Sequence, residues 1–169
     1  VNITDSNGTH YGTGKGKQFG LAIQKTGNTS YLYVSNITGM SSVYKYTITS
    51  ATNLTLPSPS PFNPNNLVMS SAQKMVVNKF VSNNYLYVSN SKDNLISEYQ
   101  TSNPTNATST KTIFNENDGI AINSLYNNPN VPDTNAFIYV TNHGGNNGTT
   151  PYISKCPVRK DGTLDHCDK

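Results

Sequence analysis

The sequence predicts an all-β protein of 169 residues, and three observations carry that expectation. A six-residue phrase, YLYVSN, occupies residues 31–36 and again 85–90, and a close variant, FIYVTN, occupies 137–142. Around it, short runs of β-branched and aromatic residues alternate with clusters of Gly, Asn, Pro and Ser, the pattern of half-buried strands separated by turns. No segment keeps a helical period for ten or so residues, so helix should be minimal.

Composition agrees with a folded chain. Apolar residues make up 34% and charged residues 12%, Trp is absent, and the formal net charge is +3, so polarity resides in Asn, Ser and Thr. Disordered chains usually combine low hydrophobicity with high net charge. Here the charge is small and the 11 Tyr recur in bursts with Val and Ile, which suits a folded β protein with polar loops. The length suits one domain, residues 1–169. The pI is about 8.8, but the basic residues are scattered and form no stripe interleaved with aromatics, so nucleic acid is not an expected partner. No apolar run approaches the roughly 18 residues of a membrane-spanning helix. The start at Val1, without a charged and then an apolar leader segment, indicates that any signal peptide is not part of this chain.

Aligning the three phrases puts Tyr33, Tyr87 and Tyr139 in register, 54 and 52 residues apart. Upstream, Leu21-Ala22-Ile23, Met75-Val76-Val77 and Ile120-Ala121-Ile122 correspond, with a longer insertion over 123–135 in the third unit. Downstream, residues 43–48, 96–101 and 153–158 correspond. Each unit therefore reads as strand, loop, strand, turn, strand and polar connection, with units at about 19–66, 67–118 and 119–169. Leu32 and Val34 should point to one face and Tyr31 and Tyr33 to the other. With both faces apolar, the phrase suits a middle strand in a sheet stacked between other sheets. A fourth strand is expected at 110–114 in the second unit, whereas the prolines of LPSPSPFNPNN in the first favour an edge or loop. The third unit ends where its fourth strand would begin, and VNIT at residues 1–4 could be a strand of another unit.

The two cysteines, Cys156 and Cys167, flank an Asp161-Gly162 turn signal, so their segments should run antiparallel. A cross-hairpin disulfide is favoured over free thiols and implies an oxidising, secreted or periplasmic setting. Seven Asn-X-Ser/Thr triplets begin at Asn2, Asn7, Asn28, Asn36, Asn53, Asn106 and Asn147, a number that an Asn- and Thr-rich chain reaches by chance.

Recurrent YVSN and YVTN phrases, each followed by a turn and a strand of the form V-x-x-Y, resemble the YVTN family of β-propeller repeats, relatives of lactonase-like propellers. The resemblance covers residues 19–167. It implies three four-stranded antiparallel blades, a partial ring completed by a further segment or by another chain, since propellers close with about four to eight blades. The ending ISKCPVRKDGTLDHC looks like a secreted bacterial variant whose paired cysteines, here Cys156 and Cys167, brace a blade's outer hairpin.

The sequence offers little catalytic chemistry. GTGKGK at 12–17 lacks the spacing of a phosphate loop and reads as a flexible turn. The densest oxygen-rich run, Glu116-Asn117-Asp118-Gly119, lacks the regular calcium-loop pattern, and His10, His143 and His166 share no metal-ligand spacing. No catalytic residue, metal ligand or cofactor is therefore assigned. Asn36, Asn90 and Asn142 are read as strand-end residues that bond the following turn. The loops after the second strands and the long insertion form the candidate binding surface, with Lys92, Asp93, Tyr126, His143, Asn146 and Asn147 as contact residues. Three readings stay open: a non-enzymatic module binding a protein, glycan or small ligand; a lactonase-like or other hydrolytic propeller whose active-site residues lie partly elsewhere; and an assembly protein that closes a ring by oligomerisation.

Overall fold

The computed structural model describes residues 18–36, 42–48, 54–55, 72–79, 84–111, 117–123, 136–144, 150–159 and 161–168. VNIT, GTGKGK, the proline-rich 56–66 segment and most of the 123–135 insertion lie outside them. Among the described residues there are strands and turns but no helix, hence none long and apolar enough to cross a membrane.

The strands form three antiparallel sheets. The first contains β1 (Gln18–Thr26), β2 (Thr29–Asn36), β3 (Ser42–Ile48) and the short β4 (Leu54–Thr55), in that order. The second contains β5 (Ala72–Lys79), β6 (Asn84–Asn90), β7 (Leu95–Gln100) and β8 (Asn103–Lys111), again in chain order. In the third, β10 (Phe137–Asn142) lies between β9 (Asn117–Ile122) and β11 (Tyr152–Pro157). The turns follow local chemistry. Gly27, at φ 59°, opens the two-residue turn between Thr26 and Thr29, and Asn94, at φ 54°, closes the 91–94 turn in a conformation that Asn tolerates better than most residues.

The fourth strand of the second sheet departs from the expectation. The strand starts well before 110–114: the chain turns at once through Thr101 and Ser102, and β8 pairs with β7 from Asn103 to Lys111, while 112–114 lie outside the described residues. An edge strand needs only one paired side, so Pro104 is tolerated there. In the third sheet the chain turns back after β11 and pairs with it at Val158↔Leu164 and Lys155↔Asp168. Cys156 and Cys167 are disulfide-bonded across this return. Its turn holds Gly162 at φ 90°, and Asp161 Oδ1 accepts from the Thr163 amide (2.9 Å) and hydroxyl (2.7 Å).

The recurring phrase has a backbone explanation. The pairing of β1 with β2 is irregular between Gln18 and Leu21, that of β5 with β6 between Ala72 and Met75, and that of β9 with β10 where Thr141 gives way to Asn142. At each irregularity the hydroxyl preceding the Asn of the repeated phrase accepts an amide from the first strand: Ser35 from Gly20 (2.8 Å), Ser89 from Lys74 (3.1 Å) and Thr141 from Gly119 (2.8 Å). The Ser or Thr of YVSN and YVTN thus satisfies an N–H that the irregular ladder would leave without its regular partner. A Cβ on Gly119 would sit 2.6 Å from the Thr141 hydroxyl oxygen, so this position has no room for a side chain unless Thr141 shifts. Ser35 is fully buried, and Ser35→Ala should lower the unfolding free energy by about 1–3 kcal/mol in urea titrations, because the Gly20 amide loses its acceptor.

The sheets pack face to face, with the second between the first and the third, and β1, β5 and β9 lie in succession. Between the first two sheets, Ala22, Tyr33 and Val43 meet Met75, Leu86, Val88 and Tyr99. Between the second and third, Tyr85, Tyr87 and Ile96 meet Ile138, Val140 and Cys156. The two faces of β2 accordingly diverge, since Tyr33 joins the inter-sheet core while Leu32 and Val34 form a separate cluster with Tyr46. Strand β6 is buried on both faces, whereas β10 alternates between buried and exposed residues.

Burial of phenols gives the core a pH limit. The Tyr99 hydroxyl is pushed up to about 12 by desolvation, and Tyr33 is raised for the same reason. An unfolded phenol releases its proton near 10.0. The stabilisation is therefore complete below pH 10 and is lost as pH rises through the folded-state value, because the folded state then holds protons that the unfolded state releases. Each pH unit in that window costs about 1.4 kcal/mol per tyrosine. Lys45, lowered by burial, acts in the opposite direction just below its ordinary 10.5. Comparing urea midpoints at pH 9 and about pH 11, Tyr99→Phe should recover roughly 1.4 kcal/mol of the alkaline loss.

Candidate binding surface

The described contact residues expected from the sequence, Lys92, Asp93 and His143, fall in the connections that follow β6 and β10. Lys92 and Asp93 are exposed in the 91–94 turn between β6 and β7, where Asp93 Oδ2 accepts from the Asn90 side-chain amide at 3.3 Å. His143 is exposed at the start of the connection from β10 to β11. Tyr126, Asn146 and Asn147 lie outside the described residues. The reading of the strand-end asparagines as partners of the following turn holds for Asn90, whereas the described bonds of Asn142 lie within the sheet. Asn90 bonds its own turn, and buried Asn142 donates to the Val140 carbonyl and the Ser154 hydroxyl, both at 3.1 Å. Among the described residues no group of three His, Cys, Asp or Glu side chains is arranged to hold a metal ion.

A second surface emerges only from the packing. Strand pairing sets Tyr33 opposite Lys45, Tyr87 opposite Glu98 and Tyr139 opposite Lys155, so each sheet presents a tyrosine beside an ionisable side chain on the same face. In the first sheet this face is covered by the second. Lys45 Nζ lies 4.3 Å from the centroid of the Tyr31 ring and donates to the Thr101 carbonyl at 3.1 Å. Beside it, the Tyr33 hydroxyl donates to Gln24 Oε1 (2.6 Å), and Gln24 Nε2 donates to Thr101 Oγ1 (3.1 Å).

In the second sheet the same face is covered by the third sheet and its disulfide-closed return. Glu98 is 1% exposed and accepts the Leu164 amide at 3.0 Å through Oε2, while the Tyr87 hydroxyl donates to the Gly162 carbonyl at 2.6 Å. A buried polar group is costly unless hydrogen-bonded, and this bond gives the Glu98 side chain a partner in the return that follows β11.

In the third sheet the face is open. Lys155 Nζ stands 3.8 Å from the centroid of Phe137, much as Lys45 stands over Tyr31, and the Phe137 and Tyr139 rings are tilted 6.5 Å apart. Tyr139 is 37% exposed and Ile153 60%, although Tyr33, Tyr87, Val43 and Ile96 at the corresponding places are all 0% exposed. An aromatic and aliphatic platform with a flanking ammonium can hold an apolar surface that also presents a carbonyl. Nothing in the motif itself signals this exposure, because FIYVTN and YLYVSN are chemically alike.

The fold and this surface define a stack of three antiparallel sheets in which a disulfide-bonded return packs against the second sheet and the outer apolar face of the third is open. No protein-family model, curated protein or solved structure matches the chain.

Proposed function

We propose that the chain contributes consecutive blades to a YVTN-type β-propeller in an oxidising compartment outside the cytoplasm, and that it works as a non-enzymatic binding module. The observation that carries this reading is the packing of antiparallel sheets face to face with β1, β5 and β9 in succession, the arrangement of strands nearest a propeller axis. The Cys156–Cys167 disulfide supports the compartment. The half-buried Lys45 and the buried Glu98 are engaged between sheets, which supports a scaffold over a catalytic centre. Binding of a protein, glycan or small ligand falls to the loop ends that carry Lys92, Asp93 and His143, and to Tyr126, Asn146 and Asn147.

Glycan and peptide arrays probed with the labelled protein test this reading. The expected result is a reproducible ligand class whose signal falls by about ten-fold, near 1.4 kcal/mol, in a Lys92→Ala, Asp93→Ala, His143→Ala variant with unchanged thermal melting. Turnover of lactones or esters by the purified protein would overturn the non-enzymatic part. A second reading, assembly through sheet faces, is favoured by the exposed Leu21, Ile23, Tyr139 and Ile153.

A further inference from the structure

The four large hydrophobic side chains exposed among the described residues are not scattered. Leu21 (57%) and Ile23 (68%) lie on the outer face of the first sheet, and Tyr139 and Ile153 on the outer face of the third. Each occupies a position that is covered in the middle of the stack. Leu21 and Ile23 pair with Val34 and Leu32 as Met75 and Val77 pair with Val88 and Leu86, and Met75 is 6% exposed against the tyrosine face of the first sheet. Ile153 pairs with Thr141 as Val43 pairs with Ser35, and Val43 is 0% exposed.

One kind of interface therefore occurs twice within the chain, always between the tyrosine face of one sheet and the aliphatic face of the next, and at the ends of the stack its tyrosine half is open on the third sheet while its aliphatic half is open on the first sheet along β1 alone. We infer that the Phe137, Tyr139, Ile153 and Lys155 face docks, head to tail, onto the Leu21 and Ile23 face of a second copy of this chain. The inference rests on the assembly reading and deepens it by naming the surfaces. Three observations commit it to a second copy. The two exposed patches correspond to residues on opposite sides of an interface already formed inside the chain, Tyr139 and Ile153 to Tyr33 and Val43, and Leu21 and Ile23 to Met75 and Val77. Lys155 over Phe137 reproduces Lys45 over Tyr31, the pair that in the covered interface also reaches a main-chain carbonyl of the neighbouring sheet. Finally, Leu32, Val34 and Tyr46 are already buried within the chain, so the open part of the receiving face is the β1 strip, matched in kind to the exposed strip of the third sheet. Because the two patches differ, the contact is heterologous, and each copy retains one free donor face and one free acceptor face until a ring closes.

Sedimentation velocity of the oxidised full chain tests this between about 1 and 300 μM, the range in which a weak specific interface populates. The expected result is a mass that rises with concentration to at least a dimer. Ile153→Lys and, independently, Ile23→Asp should each hold the protein monomeric, weakening association about ten-fold or more. Mixing the two variants should restore a 1:1 dimer, since each retains the face that the other lacks. Ala121→Arg adds bulk beside Tyr139 at an exposed position without removing a core contact and should block association like Ile153→Lys. Thermal melts within a few degrees of the parent keep these results about docking rather than folding. A parent chain that stays monomeric throughout overturns both the assembly reading and this inference. Association that survives Ile153→Lys and Ala121→Arg, or a mixture that stays monomeric, overturns this inference alone.

Discussion

Replacing Tyr87 by Ala should lower the unfolding free energy by about 3–5 kcal/mol, while the same change at Tyr139 should cost less than about 1 kcal/mol. The two residues hold corresponding places in near-identical phrases, so residue type and strand geometry predict equal effects. Packing separates them. Tyr87 is fully buried between the second and third sheets and donates its hydroxyl to Gly162, whereas Tyr139 stands on the open face. Urea titration of both variants, with the slope checked for two-state behaviour, measures the difference directly. Equal losses would mean that the outer face of the third sheet is covered in solution at the concentration used. Repeating the titration of Tyr139→Ala at higher protein concentration then separates an intrachain cover from a second copy.

Reduction of the Cys156–Cys167 disulfide, or a double Cys→Ser substitution, should cost about 3 kcal/mol. The bond closes a loop of sequence separation 11, and much of its effect lies in restricting the unfolded chain. In the folded state the same return presents the Gly162 carbonyl to Tyr87 and the Leu164 amide to Glu98, so the reduced protein should also lose protection at the Leu164 amide in hydrogen exchange. The surface ion pair of Arg159 with Asp165, at 2.9 Å, adds little, since both side chains are half exposed. Arg159→Ala should therefore leave the melting temperature within about 1–2 °C of the parent, which makes it a suitable control.

The alternation in YLYVSN was enough to assign its two faces, and β6 shows why both had to be apolar: it is the middle strand of a sheet covered on each side. The cysteine hairpin was legible because the Asp161-Gly162 turn constrains a short loop. The hydroxyl in the phrase was not legible as a partner of the first strand, because its role depends on an irregular pairing that sequence spacing does not encode. The start of β8 at Asn103, ahead of the expected 110–114, was not legible because Asn103–Lys111 lacks apolar alternation, and an edge strand can be held by the backbone ladder of β7 alone. Of the polar contact residues, Lys92, Asp93 and His143 lie in exposed turns as loop chemistry suggested. The open face of the third sheet stayed hidden for a different reason, since exposure belongs to the order of the stack and not to any one strand.

The sandwiched position of the second sheet bears on how the molecule comes apart. In a linear array each layer is stabilised by its own ladder and by its nearest neighbours, so an end layer can melt at the loss of one contact surface. The second sheet can leave only by giving up two. Thermal fraying should therefore proceed from the flanks inward, and the amides of β6 should be the last to exchange.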